Sequence, residues 1–250
     1  MSKIKKRLRI FAGPNGSGKS TLFDDFSNDY NTGHNINADV IEKTLDNKGF
    51  INLDFFNLKV SEYEFDDFLK SDNAKSLLKK SKEENHNISL TLRDNFIVDY
   101  SKETHKYEGS LISSFIREKL IQNKQSFCFE TVMSHSSKTQ EIQEAKNQGY
   151  FIYLYFICID EPEINISRVE NRVQKGGHNV EHSKITGRYP KTLENLFPAI
   201  EICDKCYLYD NSDEKYKLIA EIDSGKYLTL HVNENDSPNW FKNYVLKYFI

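Results

Sequence analysis

The sequence predicts an α/β fold built on a parallel central sheet. Three observations carry that reading. Apolar strand patterns alternate with helical ones along most of the chain. A glycine-rich run, "GPNGSGKST", joins the first strand pattern to the first helical one. The longest apolar run, "YFIYLYFICI" (Tyr150 to Ile159), is bounded by Gly149 and Asp160 and reads as a strand buried on both faces.

In order, Leu8 to Ala12 is the first strand, and a helix is expected from near Gly18 through "KSTLFDDFSNDY". "HNINADVIEKTL" gives a short strand ending around Asn37 and a helix from near Asp39. The helical pattern "SLISSFIREKLIQNK" precedes a strand in "QSFCFET". "SKTQEIQEAKNQGY" is a helix capped by Ser136 or Ser137 and stopped at Gly149. Beyond the buried strand, "INISRVENRVQ" is helical, and "KGGHNVEHSKITGRY" is a loop leading into another short helix. "KTLENLFPAIEIC" is helical with a kink near Pro198, and "KCYLYD" is the last sheet strand. "YKLIAEIDSGKYLTLHV" reads as a β-hairpin around "DSG", and a short amphipathic helix follows Pro238. Residues 46–106 break the alternation. They are polar and helical in pattern, and they are expected to form a helical insertion in a single domain, 1–250, serving as a substrate-side cap or a partner surface.

Bulk properties exclude several classes. At 250 residues, with 38% hydrophobic and 13% aromatic residues, the chain can bury a sizeable core. A net charge of -3 removes the basic body that electrostatic nucleic-acid binding needs. The basic start "MSKIKKRLRI" is not followed by an apolar signal core, and the longest apolar run falls short of the ~20 residues of a membrane span. With four cysteines in no disulfide framework, a cytoplasmic location without membrane contact is expected. Cys203 and Cys206 form a lone C-x-x-C with no second pair, and are read as structural.

Gly13, Gly18, Lys19 and Ser20 fit G-x-x-x-x-G-K-[ST], the signature of a loop that wraps nucleotide phosphates. Gly13, Pro14, Asn15, Gly16, Ser17 and Gly18 form this loop, whose backbone N–H groups, absent only at Pro14, would face phosphate oxygens together with those of the following helix N-terminus. Lys19 would add a point charge, Ser20 would hold Mg²⁺, and Thr21 would touch the α-phosphate. Asp39, at the carboxyl end of the second strand, can accept a proton from an attacking hydroxyl or serve only as a local helix cap. Glu130 ends the strand "FCFET" and can hold Mg²⁺ through water or hydrogen-bond a substrate hydroxyl. Thr131, Ser134 and His135 follow it and can line an acceptor pocket or shape a turn. Arg168 and Arg172 share one helix face, and Arg188 arrives after the Gly176–Gly177 hinge. Together they suggest a lid over residues 168–190 that neutralises developing charge. Glu170 and Glu181 are the partners these arginines would have on a merely solvated face, and His178 is read as part of the hinge.

"GPNGSGKST", "NAD", "FETVMS", "RVENRVQKGGHNV…I..RY…LENL" and "LYDNS" together resemble the zeta-toxin-like P-loop kinases. The resemblance spans Arg9 to about Ser212 apart from the insertion. It implies the kinase-type P-loop three-layer sandwich and transfer of phosphate from ATP, with Mg²⁺, to the sugar hydroxyl of UDP-N-acetylglucosamine. It also implies a toxin–antitoxin setting, with an antitoxin protein as partner. By resemblance Asp39 is the general base, Glu130 a substrate-binding acid, Lys19 the phosphate lysine, and Arg172 and Arg188 the transition-state arginines. Arg168 is the alternative for the first of these, because the lid spacing and "KGGHNV" depart from the toxins proper. The residues leave GTP open as donor. They also leave open a nucleoside, antibiotic or polynucleotide end as acceptor, and a nucleotide-dependent protein-binding switch as function.

Overall fold

A computed structural model describes residues 5–101, 106–177 and 179–249. In chain order its elements are β1 (Arg7–Ala12), α1 (Lys19–Asp29), β2 (His34–Ile36), α2 (Ala38–Lys48), β3 (Phe50–Asn52), α3 (Glu62–Phe68), α4 (Asp72–Glu83), β4 (Leu90–Arg93), β5 (Phe96–Asp99) and α5 (Lys106–Gln122). The chain continues through β6 (Phe127–Thr131), α6 (Ser137–Asn147), β7 (Phe151–Cys158), α7 (Pro162–Gln174), α8 (His182–Glu194), α9 (Leu196–Ile202), β8 (Lys205–Asp210), β9 (Lys217–Asp223), β10 (Tyr227–Leu230) and α10 (Asn239–Tyr244). Two compact units emerge, one combining Met1–Gly33 with Ser126–Ile250 and the other comprising His34–Gln125.

The first unit is α/β, and most strands of its sheet run parallel. β1 lies between β6 and β7 and pairs with both in parallel, and β7 pairs in parallel with β8. This is the buried arrangement that near-continuous apolar runs such as Phe151–Cys158 call for. Successive residues of a strand point to opposite faces. Phe11, Tyr155 and Ile157 pack with Leu22, Phe23 and Phe26 of α1 on one face. Phe156 meets Trp240 of α10, ring centroids 5.6 Å apart, on the other.

The hairpin expected around "DSG" forms, with Ser224 and Gly225 both at positive φ. It does not stand apart from the sheet. β9 pairs antiparallel with β8, so β8 is not the last sheet strand. The α6 N-terminus also differs from expectation. Neither serine caps it by side chain; the Ser137 N–H is taken by His135 Nδ1 at 3.1 Å. The expected kink at Pro198 falls instead at Asn195, between α8 and α9.

The second unit corrects the helical reading of residues 46–106. Besides α3 and α4, that stretch holds the antiparallel sheet β3-β5-β4. Its hairpin "LTLRDNFIVD" turns on Asp94 and Asn95, at φ 50° and 68°. Two consecutive positive φ values are what a tight two-residue hairpin demands, and Asp and Asn tolerate them. One face, Leu90, Leu92, Ile51 and Ile97, is buried. The compact unit is also wider than the expected insertion, beginning at His34 and ending at Gln125. No helix among the described residues is long and apolar enough to cross a membrane.

The C-terminal helix is tied to strand ends by carboxylates. Asp160 accepts from the Asn239 and Trp240 backbone N–H groups at 3.0 and 2.7 Å, satisfying the exposed donors of a helix start. Trp240 Nε1 donates to Asp210 at 3.0 Å. Trp240→Ala should therefore cost about 3–5 kcal/mol, as large core truncations do, read from denaturant unfolding. Burial also pushes the Cys128 thiol from 9.0 up to about 12 and the Tyr209 hydroxyl from 10.0 up to about 12. Both groups stay protonated longer in the folded protein than in the unfolded chain, so the unfolded state is favoured progressively as pH climbs from about 9 toward about 12. The urea midpoint should accordingly be lower at about pH 10.5 than at about pH 8.

Candidate phosphate-transfer site

The site is built in the first unit, at the carboxyl ends of β1, β6, β7 and β8. Strand β1 ends at Ala12 and the chain turns at once into the loop 13–18, because Gly13 is pressed against its neighbours. A Cβ on Gly13 would stand 2.0 Å from the Ile157 carbonyl oxygen, and its φ of 149° suits glycine. Its N–H donates to Thr131 O at 3.3 Å, so the loop is stitched to β6 as it leaves the sheet. Helix α1 then starts at Lys19 without a side-chain cap, leaving its first N–H groups for another acceptor.

Lys19 Nζ reaches back over the loop and donates to Gly13 O and Pro14 O, at 2.9 and 2.7 Å. Ser20 Oγ donates to Glu130 Oε2 at 2.8 Å. Since a serine has a single proton to give, its oxygen lone pairs remain available as acceptors or ligands beside a carboxylate. Asn15 Oδ1 and Ser17 Oγ are buried with no hydrogen-bond partner among the described residues. Asn165 of α7 backs onto the loop, its carbonyl oxygen 2.5 Å from where a Cβ on Gly16 would stand. Its own buried amide also lacks a partner among the described residues. These residues fit a nucleotide phosphate chain and a hard divalent cation: aligned N–H donors and an ammonium for the former, hydroxyl and carboxylate oxygens for the latter. Thr21 is exposed on the first turn of α1.

After Glu130 the loop folds on itself. Thr131 Oγ1 accepts the Met133 N–H at 3.0 Å, and Met133 O accepts from Asn195 Nδ2 at 3.1 Å. The Thr131 hydroxyl thus shapes the turn, while Ser134 is half-buried in it. His135 is occupied with Ser137 at the start of α6.

The arginines divide. Arg168 Nη2 donates to Asn211 O at 3.0 Å and to Asp213 O at 3.3 Å, tying α7 to the connection between β8 and β9. Arg172 is exposed one turn further along α7, in a shallow hollow shared with Lys175, Gly176 and Gly177. Arg188 is half-buried on α8. Of the acids considered as their partners, Glu170 pairs with His182 at 3.0 Å and Glu181 with Lys184 at 2.7 Å. α8 is anchored by Tyr189, whose hydroxyl donates to Ile159 O and Asp160 O at 2.7 and 3.0 Å. The expected hinge residue His178 lies outside the described residues.

Asp39 belongs to the second unit. It is exposed in the first turn of α2, and its N–H donates to Asn37 Oδ1 at 2.9 Å. The cap of that helix is therefore Asn37, and the Asp39 carboxylate is not used as one. The four cysteines are free and buried. Burial raises the thiols of Cys128, Cys158 and Cys206, which keeps them protonated and inert near neutral pH. Asn211 was not singled out from the sequence, although the structure puts it against the loop. Its stretch, "LYDNS", entered only as one of the motifs of the resemblance.

The Zeta toxin family model matches residues 91–203, a stretch that includes Glu130 and all three arginines and leaves the phosphate loop and Asp39 outside. An uncharacterised protein of Haemophilus influenzae is 35% identical over 63 residues, covering 25% of this chain and 45% of its own length. Among solved structures, the AvrRxo1-ORF1:AvrRxo1-ORF2 complex with sulphate ions aligns with a TM-score of 0.56 at 13% identity, covering 94% of this chain and 65% of that one. The same complex with ATP aligns with a TM-score of 0.52 at 13% identity, covering 91% and 61%. The chain thus spans less than two thirds of the length of each of these relatives.

Gly13→Ala tests the loop directly. The added methyl must displace the Ile157 carbonyl or the loop itself, so binding of Mg·ATP, measured by calorimetry, should fall by at least about tenfold in a protein that still folds. The loop between β1 and α1 and the mostly parallel sheet give this chain the P-loop kinase fold, and its stretch 91–203 is similar to the Zeta toxin family.

Proposed function

We propose that the protein is an ATP- and Mg²⁺-dependent kinase that transfers the γ-phosphate to a hydroxyl of a small molecule. The favoured acceptor is a UDP-activated amino sugar such as UDP-N-acetylglucosamine. The observation that carries the reading is the Ser20–Glu130 contact of 2.8 Å beside Lys19. It joins a hydroxyl and a carboxylate at the foot of a loop whose lysine and backbone donors suit a triphosphate.

In this reading the loop N–H groups and Lys19 bind the β- and γ-phosphates, the lysine exchanging its two loop carbonyls for phosphate oxygens. Mg²⁺, held through Ser20 with Glu130 behind it, supplies charge neutralisation across the phosphates. Thr21 contacts the α-phosphate. Asp39 takes the proton from the acceptor hydroxyl as its oxygen bonds to the γ-phosphorus and ADP departs. Arg172 and Arg188 offset charge on the transferring group within a lid of residues 168–190. Ser134, together with Glu130, borders the acceptor.

The amino-sugar acceptor rests on the zeta-toxin resemblance and on the family match over 91–203. ATP is favoured over GTP because the structurally similar AvrRxo1-ORF1:-ORF2 complex was crystallised with ATP. That relative is itself a two-protein complex, which supports an antitoxin-like protein as a partner.

Asp39→Asn should leave Mg·ATP binding intact and reduce transfer by about 10²–10⁴-fold, the range for loss of a general base. Transfer at the wild-type rate would remove Asp39 from the reaction. Incubation of the wild-type protein with γ-labelled ATP and a metabolite extract containing UDP-sugars should yield a new phosphorylated species. ATP hydrolysis without any acceptor product would overturn the kinase reading in favour of a nucleotide-dependent switch.

A further inference from the structure

A continuous strut runs from α7 to the phosphate loop through one residue, Asn211. Its backbone N–H donates to Cys158 O at 2.8 Å, fixing it at the end of β7. Its side-chain Nδ2 donates to Ser17 O at 2.8 Å in a buried bond. Its own carbonyl accepts from Arg168, whose guanidinium also holds Asp213 O. Asn211 is 8% exposed.

The bond to Ser17 bears on the donors of the loop. In a trans peptide the carbonyl and the next N–H point in opposite directions. With the Ser17 carbonyl fixed on Asn211, the Gly18 N–H is turned away from it. Gly18 is also constrained to remain glycine: its φ is 103°, and a Cβ there would stand 2.5 Å from Asn211 Nδ2.

We propose that Asn211 is a positioning residue for phosphate binding. It sets the Ser17–Gly18 peptide so that the Gly18 N–H faces the phosphates, and Arg168 acts through it by fixing the carbonyl of the same residue. The proposal rests on reading residues 13–21 as the phosphate site. It assigns Arg168 a structural bond within the site, so the proposed role on the transferring group falls to Arg172 and Arg188. Both bonds leave the same guanidinium nitrogen, Nη2, so a lysine ammonium with three N–H donors can replace part of the contact.

The test is equilibrium binding of two probes, Mg·ATP and inorganic tripolyphosphate, to the full chain by calorimetry, with circular dichroism to follow folding. Asn211→Asp keeps the shape but sets a carboxylate oxygen against the Ser17 carbonyl. It should weaken both probes by about tenfold or more, the scale of a lost buried hydrogen bond with its acceptor stranded. Arg168→Ala should weaken both probes less, Arg168→Lys should recover part of that loss, and Arg168→Ala added to Asn211→Asp should weaken binding no further. Wild-type affinity of folded Asn211→Asp for tripolyphosphate would overturn the proposal, including the case in which ATP binding alone is lost, which would make Asn211 a base contact. Should Asn211→Asp not fold, unchanged tripolyphosphate affinity in Arg168→Ala overturns it instead. Multiplying effects in the double variant, or no rescue by lysine, would overturn the Arg168 link. Wild-type nucleotide binding without any phosphoryl transfer would sink the kinase reading and leave this one standing.

Discussion

Where Gly13 would carry a side chain, the Ile157 carbonyl oxygen stands 2.0 Å away, and much of the site follows from that crowding. A parallel sheet brings the carboxyl ends of β1, β6 and β7 side by side, so the chain leaving β1 has to pass between two strand ends before it can turn. Only a residue without a Cβ can pass. Having done so, the loop is held on each side, by Thr131 O at Gly13 and by the Asn211 amide at Ser17. The donors at the start of α1 are therefore placed by the sheet itself, through the ends of three strands, and not by the loop's own rigidity.

Charge is then arranged around a helix start that carries no side-chain cap. Lys19 neutralises loop carbonyls, and Ser20 is paired with a carboxylate at the end of β6. A ligand bearing several negative oxygens satisfies the helix terminus and the lysine together, and a hard cation satisfies Ser20 and Glu130. The pairing of Glu130 with Ser20 places this acid beside the hydroxyl proposed to hold the cation.

What was legible in the sequence was local. The phosphate loop occupies nine consecutive residues between a strand and a helix, so its chemistry and backbone needs are written in one place. The same holds for β7, whose apolar run announces burial. The antiparallel sheet in residues 46–106 was hidden because its strands are only three or four residues long and sit among helical patterns. Its sole clear mark was the turn pair Asp94-Asn95. The joining of β9 to β8 could not be read, because a hairpin pattern says nothing of what its outer edge pairs with. The role of Asn211 was hidden for a different reason: "LYDNS" counted toward the resemblance, but its bond to Ser17 links residues 194 positions apart. Arg168 and Arg172 share a spacing that fits a lid, but only the fold shows that one of them is spent on backbone carbonyls.

Trp240 is the only tryptophan in the chain, and its place in the structure gives the protein an optical property. Its indole is nearly enclosed, stacked obliquely on Phe156, and its N–H rests on the carboxylate of Asp210, the residue immediately before Asn211. Indole emission is sensitive to a charge at its nitrogen and to the shielding of its ring. The light emitted by this one side chain thus registers the end of β8, whose next residue grips the phosphate loop. A change in that grip can be followed without a label, in the unmodified protein.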